Sequence, residues 1–230
     1  MKKCIPLFLL MFISFNLHSQ VLISLLLGDK LNSPNLEFGL EGGFNWSGNS
    51  GFESNKKLRT FNLGFYFDIR LKEQLFLYTG VLVKSKLGAA KLSDADLAIL
   101  KIDKFQEEGD YSQVLQSFVI PIFAKYKLKN HFYIEGGPQL GWQYKSWVEF
   151  NQSNADMKSK VEVFNKDDVT MLDAGFAAGF GYQLMKGKGM TFGVKYYYGL
   201  VNVMKNIPDS KNNSLFLKMN IPVGAGKKKE

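Results

Sequence analysis

Eight stretches of this chain alternate apolar and polar residues with a period of two. The clearest spans residues 59–72, where Phe61, Leu63, Phe65, Phe67, Ile69 and Leu71 alternate with Asn62, Gly64, Tyr66, Asp68 and Arg70. Successive side chains of an extended strand point to opposite faces, whereas a helix of 3.6 residues per turn would scatter such a pattern around its axis. Residues 36–47 repeat it, with Leu36, Phe38, Leu40, Phe44 and Trp46 set against Glu37, Gly39, Glu41, Gly43 and Asn45. Comparable alternation over 75–87, 113–128, 132–148, 169–184, 190–202 and 214–223 predicts eight strands in all. Leu82, on the polar side, and Pro121, which can donate no ladder hydrogen bond, mark the third and fourth as the least regular.

The connections alternate in length. Three are tight, at Lys72-Glu73-Gln74, Lys129-Asn130-His131 and Lys186-Gly187-Lys188-Gly189; four are long, at about 48–58, 88–112, 149–168 and 203–213. An even number of antiparallel strands, with short turns on one rim and long loops on the other, is the pattern of a barrel crossing a bacterial outer membrane. The expected fold is therefore all-β, an eight-stranded antiparallel up-and-down transmembrane β-barrel over residues 36–224, with both termini on the periplasmic side. In the longest loop, Ser93 and the acids Asp94 and Asp96 predict a short surface helix over 93–101.

Alternation alone does not say which face is inside, because a soluble barrel would bury its apolar face around a ligand. Glycines on the polar faces (Gly39, Gly43, Gly64, Gly80, Gly137, Gly141, Gly175, Gly179, Gly181 and Gly193) favour a polar interior. An eight-stranded lumen is just wide enough for side chains, so large polar groups there need small neighbours. Charges on lipid would cost roughly 2–4 kcal/mol for each Arg or Lys near the midplane. The expected lumen charge network is Glu37, Glu41, Asp68, Arg70, Lys84, Lys125, Glu135, Lys145, Asp173, Lys195 and Lys218. Trp46, Trp142, Tyr144 and Trp147, near strand ends by the long loops, are expected to form an aromatic girdle.

Residues 1–19 read as a secretory signal, with Lys2 and Lys3, an apolar run from Ile5 to Phe15, and Leu17-His18-Ser19 before a cleavage point at Gln20. Cys4, the one cysteine, would leave with it, so the mature chain can form no disulfide. Residues 20–35 are expected to be a periplasmic segment, apolar from Val21 to Leu27, and 225–230 a basic tail. The net charge of +8 falls to +6 without Lys2 and Lys3. Its cations are interleaved with acids along strands rather than gathered beside stacking aromatics, which argues against nucleic-acid binding. Expected partners are outer-membrane lipid, the outer-membrane assembly machinery and another envelope protein.

Catalytic chemistry finds little support. His131 is the one histidine outside the signal, and it sits in a tight turn on the periplasmic rim. With no cysteine beside it, a transition-metal site is not expected. Asp167 and Asp168 read as a solvated acidic pair. The glycine-rich run from Gly175 to Gly181 lies within a strand and opens no helix, unlike a nucleotide-binding loop. No catalytic, cofactor-binding or metal residues are assigned.

Phe118-Val119-Ile120-Pro121-Ile122-Phe123-Ala124-Lys125-Tyr126, Phe132-Tyr133-Ile134-Glu135-Gly136-Gly137-Pro138, Gly179-Phe180-Gly181-Tyr182 and Lys195-Tyr196-Tyr197-Tyr198-Gly199-Leu200 together resemble the PorT-like outer-membrane β-barrel family common in Bacteroidota. The resemblance spans about residues 36–224 and implies barrel architecture rather than an activity, with some members tied to secretion or gliding machinery. The chain departs from such barrels at its end, where Pro222-Val223-Gly224-Ala225-Gly226 and lysines replace a terminal aromatic. The expected function is that of a non-enzymatic barrel with a packed polar lumen, working through its long extracellular loops as a structural or interaction protein. The alternatives are a soluble periplasmic barrel with Phe61, Leu63 and Phe65 around an apolar ligand, and a narrow small-solute channel.

Overall fold

A computed structural model of the chain describes residues 33–54, 56–152, 160–187 and 189–223. The expected signal, most of the 20–35 segment and the basic tail lie outside the described residues. Among the described residues, nine antiparallel strands form one sheet: β1 (Leu36–Asn49), β2 (Lys56–Arg70), β3 (Leu75–Ala90), β4 (Gly109–Lys127), β5 (Phe132–Gln152), β6 (Lys160–Phe164), β7 (Leu172–Gln183), β8 (Thr191–Gly199) and β9 (Asn212–Pro222). Eight of them pair with their sequential neighbours, and β1 pairs with β9 from Gly39↔Pro222 to Asn49↔Asn212, which closes the ring. Closure removes every free edge from the barrel wall.

The ring itself has the expected eight strands, and the ninth, β6, is an addition outside it. The fifth predicted strand runs on to Gln152 and folds back as β6, pairing Trp147↔Phe164 through Asn151↔Lys160. Its short alternation, Val161 and Val163 around Glu162, lies inside what reads as a long polar connection. This hairpin rises above the ring, and β6 is bonded to β5 alone.

The ladder keeps the two faces apart. Phe61, Leu63, Ile120, Ile122, Ile134, Phe176, Phe180, Leu215 and Leu217 are exposed on the outer wall, Phe180 by 62%. Asn62, Tyr66, Asp68, Lys125, Glu135, Lys195 and Lys218 are buried on the inner one. A soluble barrel holding an apolar ligand requires the reverse, with Phe61, Leu63 and Phe65 inward. No described helix is long and apolar enough to cross a membrane.

Two bulges break the phase. On β3, Leu63 opposes Lys84 while Gly64 opposes Leu82, so Val83 is an extra residue, and both Val83 and Lys84 lie outside. On β5, Gln116 opposes Lys145 while Ser117 opposes Gln143, so Tyr144 is extra. Each insertion exchanges the faces of every residue beyond it. The interior is thereafter formed by Ser85, Leu87 and Ala89 on β3 and by Ser146, Val148 and Phe150 on β5.

Long connections close the upper mouth. Helix α1 (Asp94–Ile99) starts on a capping box in which Ser93 and Asp96 each hold the other's backbone N–H. The expected surface helix is in fact partly buried. Leu97 and Leu100 pack with Phe52, Leu92, Met204 and Ile207 in one apolar cluster that continues down to Leu87 and Leu115 of the wall.

Candidate functional site

The inner face and its cap are the part of the molecule where polar chemistry is concentrated. At the lower end, Asp68 sits between two lysines of β4, with its Oδ2 2.9 Å from Lys125 and 3.0 Å from Lys127. Positions 125 and 127 are two apart on one strand and therefore share a face. Tyr66 donates its hydroxyl to Glu37 at 2.8 Å.

One layer higher, Glu41 accepts a hydrogen bond from Tyr78 and lies 3.8 Å from Lys195, while Glu135 is paired with Lys218. Tyr66, Tyr78 and Phe123 are stacked, with centroids 5.8 and 6.0 Å apart. The lysines fill the spaces beside these rings. Lys218 Nζ is 4.0 Å from the centroid of Tyr78, Lys125 is 4.4 Å from Tyr133, and Lys195 is 4.8 Å from Phe216. An aromatic face carries negative quadrupole charge, so each ring supplements the carboxylates in holding a desolvated ammonium.

Glycines make the large rings possible. A Cβ at Gly193 would stand 3.2 Å from the ring of Tyr133 and nearer to its hydroxyl, and one at Gly39 would stand 2.5 Å from the ring of Tyr66. With any other residue at either site, the ring would have to shift from its place.

Above the charged layers the network is built mostly from amides and hydroxyls, with Asp173 its one acid. Asn45 donates to the carbonyl of Lys86 and to Ser214, and its Oδ1 accepts from Thr60 and Asn62; Ser85 in turn donates to Asn62. Asp173 accepts from Tyr197 and Asn212, both at 2.9 Å. Higher still, Gln113, Ser146 and Asn165 bond one another, tying the connection after β6 to the wall.

Asp96 is the polar anchor of the cap. Fully buried, its carboxylate accepts the backbone N–H groups of Glu53, Ser54 and Ser93 at 2.8, 3.2 and 2.9 Å. It joins the first long connection to the second. The sequence shows only half of this, because an N3 acid is visible beside Ser93 but its partners 40 residues upstream are not.

Of the eleven expected lumen charges, Glu41, Asp68, Lys125, Glu135, Asp173, Lys195 and Lys218 are buried within the barrel, and Glu37 is half-buried. Three require correction. The bulges turn Lys84 and Lys145 to the outer wall, where both are exposed. Arg70 keeps the inner phase but lies at the open lower rim, exposed, with its guanidinium 5.4 Å from the ring of Phe76. Of the expected girdle, Trp142 is 54% exposed on the wall, and Trp46 and Tyr144 are half-covered. Trp147 is instead buried on the outside of the hairpin, between Lys86 and Phe164, so it is a packing residue there. His131 adopts a positive φ of 70° in its turn. Among the described residues no group of three or more His, Cys, Asp and Glu is arranged to hold a metal ion.

A closed ring with an apolar outer wall and an ionic interior is matched over residues 30–205 by the model of the outer membrane protein beta-barrel domain. The chain belongs to that family. This member is an outer-membrane β-barrel. Among solved structures it is similar to Ail, the attachment invasion locus protein of Yersinia pestis, at 12% identity and a TM-score of 0.47, over 82% of this chain and 99% of that one. It is also similar to Neisserial surface protein A (7%, TM-score 0.41, 81% and 96%) and to OprG from Pseudomonas aeruginosa (12%, TM-score 0.37, 82% and 93%). Comparison with curated proteins gives no match.

Proposed function

We propose that this outer-membrane barrel is a non-enzymatic interaction protein whose lumen is a structural plug and whose working surface is its long extracellular connections. The observation that carries this reading is occupancy of the interior at every level, from the Asp68 pair through the Lys195 and Lys218 layer to the Phe52, Leu97 and Ile207 cap. A filled barrel offers solutes no continuous path, so what remains for recognition is the outer end, where loops on a rigid scaffold are placed to meet a partner. The PorT-like motifs support a place among barrels that serve secretion or envelope complexes, and the partner in this reading is another envelope protein.

The test is photocrosslinking in the native envelope. A reactive group at Lys101 or Phe105 is expected to trap a discrete protein, and the same group at Phe180 on the lipid-facing wall to trap none. Equal labelling at both positions overturns the proposal. Steady conductance of the purified barrel in planar bilayers would favour the small-solute channel instead.

A further inference from the structure

Five cations stand on the outer wall just above its apolar band. Lys57, Arg59, Lys84 and Lys145 are exposed and Lys86 is half-covered. Arg59 is opposite Trp46 on β1, placing it in the outward phase, with its guanidinium 5.2 Å from the ring of Phe44 and 5.7 Å from that of Trp46. Lys57, two residues above, donates to the side-chain oxygen of Asn213. Lys84 Nζ is 6.0 Å from the ring of Phe61. Lys86 and Lys145 flank Gln116 on a single rung, about 10 Å apart at two strand spacings.

These residues lie on one flank, from β2 to β5. The equivalent outward positions on β7, β8 and β9 are Leu172, Tyr198, Asn213 and Leu215, with no cation. None of the five forms an ion pair among the described residues. The nearby outer-face carboxylates are already engaged, Asp110 with Lys91 at 3.2 Å and Glu149 with Lys160 at 2.9 Å. The aromatics beneath the cations mark the depth at which acyl chains give way to headgroups. Both bulges contribute, since they are what turns Lys84 and Lys145 outward.

We propose that this flank binds the phosphate-bearing headgroup of an anionic lipid of the outer leaflet, the phosphate seated between Lys84, Lys86 and Lys145. The acyl chains then lie against Phe61, Leu63 and Trp142 below. The height decides for a lipid rather than a free anion, because an ion from solution gains nothing from a site set against the apolar band. The inference stands apart from whatever the loops contact.

The test is native mass spectrometry of the detergent-purified barrel titrated with bisphosphorylated lipid A or with dephosphorylated lipid A of the same acyl composition. The unaltered protein is expected to retain the phosphorylated lipid about tenfold more tightly or better, and K84Q/K86Q/K145Q to lose that preference. The single K145Q, an exposed change that leaves the ladder intact, reads the same loss at about fivefold. K205Q/K211Q, on the last long connection, is expected to bind as the unaltered protein does. Equal retention of the two lipids, undiminished preference in both K145Q and the triple variant, or displacement of bound lipid by equimolar inorganic phosphate would overturn the proposal.

Discussion

Asp68 pairs with two lysines at once, and this makes the lower ion cluster asymmetric. Removing Lys125 leaves the carboxylate with Lys127, whereas removing Asp68 leaves two cations facing each other beside Phe76 and Tyr133. Breaking a buried pair from one side costs about 3–5 kcal/mol because the remaining charge stays desolvated. Asp68→Asn is therefore expected to lower the temperature at which the folded form loses its characteristic gel migration by more than Lys125→Met does. The double variant should recover part of the loss, and a double variant as unstable as Asp68→Asn alone would contradict the asymmetry. Asp68 and Lys125 were both legible as interior residues, because neither strand slips phase between them and its neighbours. Lys84 and Lys145 were not. A bulge is a property of two paired strands, and nothing in the residues around Tyr144 announces that β4 has no counterpart for it.

Among the elements, the cap and the outer hairpin depend on polar staples rather than on ladder bonds alone. Asp96→Ala leaves three partly buried backbone N–H groups without their acceptor, at roughly 1 kcal/mol each. The barrel wall does not use this carboxylate. The expected result is a folded barrel whose 48–54 and 93–108 connections become cleavable by protease, read by mapping the fragments; intact connections would show that the apolar cluster alone holds the cap. In the hairpin, hydrogen bonds to Glu162 and Glu149 hold the Lys160 ammonium above the ordinary lysine range. A raised folded value means that this contribution is complete below the ordinary lysine range and is lost as pH rises through the raised one. The protection of the Val161 and Val163 amides, taken relative to base-catalysed exchange of the unfolded chain at each pH, should accordingly hold from neutral pH through that range and fall only beyond it. The hairpin was less legible than the barrel strands because only five residues of β6 alternate, in a region dominated by Asn, Lys and Asp.

At the scale of the whole molecule, the filled interior predicts that purified protein in planar bilayers shows no steady conductance. Asp68→Asn, by loosening one layer only, should not open it. Lys2, Lys3 and the apolar run from Ile5 to Phe15 also predict export with cleavage before Gln20, which the intact mass of protein isolated from envelopes checks directly. Barrel closure and the inside-out arrangement were readable because eight alternating stretches and their connection lengths are repeated signals, each supporting the others. The cap was not, since Phe52, Leu97 and Ile207 come from three separate connections that share no periodicity. The seam between β1 and β9 bears on how such a molecule is made. The first described strand emerges early with one side lacking its permanent neighbour, and that neighbour, β9, is the last of the described strands in chain order. A chain stopped short of residue 212 therefore lacks the strand that completes the cylinder, and its β1 keeps a row of unpaired backbone groups where the wall should join.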